Sequence, residues 1–162
     1  MKRWVYVLFC CLGAESALAQ DTQNYFDDPF LQVTAGVANC PVPQPPGMTQ
    51  AELPAAAHVR SQHGGSCFRA GRCRLPDSYL YDKEIIPRVK IYLTQDDRYA
   101  NTSIWAQGER RLVTLMGCVQ SEQQSQEIER SVNLIDDVMG VINYLMVGTQ
   151  ATPKYKVITP KP

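Results

Sequence analysis

Cysteines, histidines and a cluster of arginines are the side chains of this sequence best equipped for chemistry. Cys40, Cys67, Cys73 and Cys118 lie outside the apolar N-terminal run that holds Cys10 and Cys11. As metal ligands they are poorly spaced. Cys67 and Cys73 have five residues between them in "CFRAGRC", looser than zinc loops use, and His58 and His63 fit no usual ligand pairing. No metal and no cofactor is expected. Acid–base pairs can be drawn from Glu52 with His58, or from Asp96-Asp97, but nothing places a nucleophile or an oxyanion donor beside them. Ser66 near His63 is loop composition and lacks a triad's third member. The reading is therefore non-enzymatic.

The arginines are more suggestive. Arg69, Arg72 and Arg74 fall within six residues of one glycine-containing loop, and Lys154 and Lys156, with Lys161, mark the C-terminal tail. Guanidinium groups at this density can hold lipid phosphates or an acidic polymer; the plainer reading is a solvated loop. The charge distribution excludes nucleic acid as an obvious partner. Residues 20–76 are balanced, residues 77–148 carry a net −4, and residues 149–162 carry three lysines and no acid.

The compartment follows from the N-terminus. In "MKRWVYVLFCCLGAESALAQ" a basic start, an apolar stretch and Ala17-Leu18-Ala19 make a secretory signal peptide over residues 1–19. Export from the cytoplasm leaves the four remaining cysteines in an oxidising compartment, where they read as two disulfides with three pairings open.

Beyond it, residues 20–76 form a cysteine-containing extension of poor periodicity, with a proline-rich "CPVPQPPG" connector. Thr49-Gln-Ala-Glu52 has the form of a capping box opening a short helix to about Gln62. From Pro76 regular elements follow one another. The spacing predicts a helix over 82–94 with Ile85, Val89, Tyr92 and Leu93 on one face, despite Pro87. A strand over 103–107, a reversal at Gly108-Glu109-Arg110 and a strand over 111–119 come next. A helix over 121–137, burying Ile128, Val132 and Ile135, precedes a strand over 141–147. The order α-β-β-α-β is an α+β fold, a two-layer sandwich of a three-stranded sheet with both helices on one face.

These residues resemble the BON domain, a small module of bacterial envelope proteins. The likeness rests on Ile104 and Ala106, on Val113-x-Leu115-x-Gly117-x-Val119, and on "DVMGVINYLMV" with Val138, Val141, Asn143, Leu145 and Val147. It covers residues 77–148; Pro87 and Cys118 depart from the pattern. The resemblance implies a non-enzymatic protein of osmotic stress or envelope integrity, contacting membrane phospholipid or envelope proteins. It offers no catalytic motif to transfer. BON-like folds are also similar to ring-building modules of secretion assemblies, so a scaffold subunit that self-associates is the alternative.

Strand alternation adds one further expectation. Val113, Leu115, Gly117 and Val119 should face the helices, with Gly117 letting a helix lie close. Trp105, Leu112, Met116, Cys118, Ile142, Tyr144 and Met146 should share the second face, which water would normally meet. An apolar patch of that size calls for a cover. Cys118 lies on it, so strand parity favours Cys40 with Cys118, stapling the extension down as a lid, and Cys67 with Cys73 closing the arginine loop.

Overall fold

The computed structural model describes residues 22–95 and 97–158. The leader over 1–19 with Cys10 and Cys11, Asp96 and Lys161 lie outside the described residues. In chain order the elements are β1 (Phe30–Ala35), α1 (Leu53–His63), a single turn α2 (Ser66–Arg69), α3 (Asp82–Thr94), β2 (Ser103–Glu109), β3 (Leu112–Val119), α4 (Glu122–Asn133) and β4 (Gly140–Val147). Short 3-10 turns precede and follow α3.

The sheet order is β1-β2-β3-β4, with β1–β2 and β2–β3 antiparallel and β3–β4 parallel. The α-β-β-α-β order holds, and the extension adds a fourth strand that periodicity did not reveal. Six residues are a weak signal, and β1 is drawn into place by the open edge of β2. Its register slips at Val33, where the Thr34 hydroxyl accepts the Ile104 N–H and so repairs the ladder.

Both long helices lie on one face of the sheet. Ile85, Ile86, Val89 and Leu93 of α3 and Ile128 and Val132 of α4 pack onto Ile104, Ala106, Val113, Leu115 and Val119. Ile86 takes the place expected of Tyr92, which is exposed. Pro87 sits inside α3 without ending it, on the solvent side and only six positions in. α4 stops at Asn133 and not at Asp137; turns follow, and Asp137 adopts φ +72°.

The β2–β3 reversal is tighter than expected. Gly108 and Glu109 belong to the strand, and the turn is Arg110-Arg111, both left-handed at φ +55° and +69°. A pair of positive φ values gives a hairpin turn the twist its strands need. Gly108 serves packing instead: a Cβ there would come within 2.9 Å of Asp82 and Ile86 on α3.

Gly117 also has a different reason from the one expected. Its φ is +125°, and a Cβ would lie 2.0 Å from the Ser103 carbonyl oxygen on β2. The close approach is to a neighbouring strand, not to a helix.

Candidate functional site

The second face of the sheet is built as parity required. Cys40 and Cys118 are joined across 78 residues of sequence. Around them Trp105, Met116 and Met146 form a second core, with Phe30, Val37, Tyr144 and Tyr155 packed against it. The lid segment is fixed by more than the disulfide. The Ser103 hydroxyl accepts the Val37 N–H and donates to the Val37 carbonyl.

The tail contributes to the same cover, which the sequence did not show. Tyr155 donates its hydroxyl proton to the Pro41 carbonyl at 2.9 Å, and burial raises its phenol above the usual range. Pro43 and Val157 form an antiparallel bridge, and Ile158 N–H reaches the Val42 carbonyl. Cover is incomplete at the other end of the face, where Leu112 and Ile142 border a 230 Å³ cleft beneath Val59 of α1.

α1 itself buries no residue. It is held at Arg60, whose guanidinium lies over the rings of Phe26 and Tyr79, at 4.0 and 4.1 Å, and pairs with Asp28. The expected capping box is half formed. Glu52 accepts the Thr49 N–H, while the Thr49 hydroxyl donates to that same carboxylate; these bonds lower the Glu52 carboxyl below its ordinary value.

The Cys67–Cys73 disulfide closes the arginine loop. The three arginines have separate fates. Arg69 is exposed and folds back beside Gly65. Arg72 is exposed and borders a cleft beside the β2–β3 turn. Arg74 is committed within the molecule: it pairs with Glu84 and Asp137 and stands 5.0 Å from the Tyr81 ring. Arg88 joins the same two carboxylates. Burial pushes the Asp137 carboxyl up, but the bonds from Arg88 and Arg74 outweigh it and hold the group below its ordinary value.

Lys154 and Lys156 are exposed on the docked tail. The Lys156 carbonyl accepts the Gln44 N–H, and its ammonium feels the Glu52 carboxylate, so the lysines belong to the lid side of the molecule. The loop and tail cations are attached to different segments, α1–α3 and the lid.

Arg111 escaped the sequence reading. Its side chain lies under the loop, donating from Nε to the Asp137 carbonyl at 2.8 Å and from one terminal nitrogen to the Cys73 sulfur at 2.9 Å. It also lies 4.8 Å from the Tyr81 ring and forms no ion pair among the described residues. The available signal was the paired "RR" at the hairpin tip.

The BON domain family model matches residues 81–149. This stretch, from α3 through β4, is a BON domain. No curated protein matches the chain.

Proposed function

We propose that the protein is a non-enzymatic envelope module of the periplasm that meets the anionic membrane surface through its disulfide-closed loop. One observation carries this reading. Phe68, Arg69 and Arg72 stand exposed on the loop between Cys67 and Cys73, Phe68 by 47%, and residues 53–76 contain no acidic side chain. An aromatic ring beside unneutralised guanidinium groups suits the headgroup region, where the ring enters the boundary and the cations meet phosphate. Two disulfides suit an oxidising compartment.

Flotation with vesicles of phosphatidylglycerol and phosphatidylcholine, at low and high salt, tests it. Salt-sensitive co-flotation that is lost in Arg69→Ala/Arg72→Ala supports the reading. Protein left at the bottom of the gradient in low salt sinks it.

A second reading, a scaffold acting through protein contacts, is favoured by a different feature. Ile91 and Tyr92 of α3 and Leu134 after α4 line an apolar 320 Å³ groove between the helices, with Leu134 83% exposed. Sedimentation decides here: a monomer at all concentrations, with no envelope partner captured, removes the scaffold.

A further inference from the structure

Beside the β2–β3 turn a cleft of 470 Å³ is lined by His63, Ser66, Arg72, Ser78, Arg110 and Arg111. Three elements bring these residues together: the end of α1 with the disulfide loop, the turn before α3, and the hairpin tip. The residues lining the cleft include no carboxylate. Of those nearby, Glu109 is exposed beside Arg110, and three others are held in bonds of their own. Asp77 accepts the Tyr79 N–H, Asp82 accepts the N–H groups of Arg110 and Arg111, and Asp137 holds Arg74 and Arg88.

We infer that this cleft binds a phosphoryl oxyanion, with Arg72 and Arg110 gripping the oxygens and Arg111 supplying fixed positive charge behind them. The placement of Arg111 is what distinguishes the cleft from a basic surface. Its Nε and one terminal nitrogen are tied to the Asp137 carbonyl and the Cys73 sulfur, so its charge is held in place without being neutralised. Arg110 is presented by a left-handed turn whose backbone Asp82 clamps from below. Arg72 is restrained by the Cys67–Cys73 bridge. The Ser78 hydroxyl and the His63 imidazole add donors to the wall, while the Ser66 hydroxyl is spent on the His63 carbonyl. Planar guanidinium forks match the tetrahedral spacing of phosphoryl oxygens, and a site whose charges are fixed beforehand needs little rearrangement on binding. The volume admits a phosphate monoester with a small substituent. Such a group reaches the cleft either as a soluble phosphate ester or as a lipid headgroup.

Titration of the disulfide-bonded protein with inorganic phosphate and with glycerol 3-phosphate, followed by amide NMR, tests the inference. Saturable shifts at His63, Arg72, Arg110 and Arg111 are expected. Arg72→Gln and Arg110→Asn should each weaken them by about tenfold, the worth of one good charged contact. Asparagine is chosen at 110 because it tolerates the left-handed backbone there, so an otherwise unchanged spectrum reports an intact fold. No saturable shift at millimolar phosphate overturns the inference, as does an equal response to chloride at matched ionic strength. So does full affinity in both Arg72→Gln and Arg110→Asn.

Vesicles of phosphatidic acid identify the source. Loss of their binding in Arg110→Asn assigns a lipid headgroup, and retention alongside weakened glycerol 3-phosphate assigns a soluble ester. The two functional readings fail separately. Phosphate binding without flotation removes only the membrane reading, and flotation without phosphate binding removes only this cleft.

Discussion

The Asp82 carboxylate accepts the backbone N–H of Arg111 at 2.7 Å, and its other oxygen takes the Arg110 N–H at the same distance. One side chain at the start of α3 thus clamps the turn of the β2–β3 hairpin, and with it the pair of arginines that the turn displays. Buried N–H groups in a left-handed turn have no strand partner, so the carboxylate satisfies what the hairpin cannot. Asp82→Ala should remove both acceptors and cost about 2 kcal/mol or more in urea unfolding at neutral pH. A loss under half that would mean that water replaces the clamp.

The same group gives a pH dependence. Burial is the largest influence and raises the Asp82 carboxyl from 3.8 to about 6, against the lowering by the Arg111 and Arg110 N–H bonds. The folded state therefore holds this proton up to higher pH than the unfolded state does. Stability linked to this proton is fully present below about pH 4 and falls as pH rises through about 6. Above that the charged carboxylate keeps its two N–H bonds and the pH dependence levels off. Unfolding from pH 4 to 8 should show the wild type losing stability relative to Asp82→Ala across that window. A parallel pair of curves would refute the assignment.

The Cys40–Cys118 bridge closes a loop long enough that its removal should cost about 4 kcal/mol, on the entropic account of cross-links. The paired Cys40→Ser/Cys118→Ser variant should also loosen the lid over Trp105, Met116 and Met146 and raise binding of a hydrophobic dye. Unchanged dye fluorescence in a folded variant would show that the hydrogen bonds at Ser103 and the docked tail hold the cover unaided.

At Gly117 any side chain meets backbone. Gly117→Ala puts a carbon 2.0 Å from the Ser103 carbonyl oxygen, at a φ of +125° that alanine rarely adopts. The expected loss is about 3 kcal/mol or more, with β2 and β3 forced apart beside the disulfide. Exchange of the Cys118 amide should quicken; retained protection would contradict the clash.

How much of this could be read from residues alone depended on how local its causes are. The bounds of α3 were legible because periodic apolar positions set them, and Pro87 fell on the exposed side. The Cys40–Cys118 pairing was legible because alternation along β3 puts Cys118 opposite Val119 and beside Met116. β1 was not, since six residues take strand form only when an open edge is offered. The reversal was misplaced because Gly108 looked like a turn residue, whereas its lack of a side chain serves α3. Arg74 and Arg111 illustrate the harder case. Arg74 finds Asp137 across 63 residues of sequence, and Arg111 finds the Cys67–Cys73 bridge only after the hairpin folds beneath the loop. No spacing rule carries such partners.

The docking of the C-terminal tail yields the last prediction. Tyr155 lies in the second core and donates to Pro41, while Val157 and Ile158 pair with the lid segment around Val42 and Pro43. The tail therefore packs against the cluster that holds the disulfide and pairs with the lid segment just beyond Cys40. Deleting the chain after Thr152 should expose part of the Trp105–Met146 cluster and increase dye binding even with both disulfides intact. It should also remove Lys154 and Lys156 without touching the Cys67–Cys73 loop. If the membrane is met through that loop, flotation survives the deletion while the lid loosens. If flotation is lost with the tail and the lid stays closed, the lysines and not the arginines carry the contact, since Glu52 beside Lys156 neutralises only part of that end.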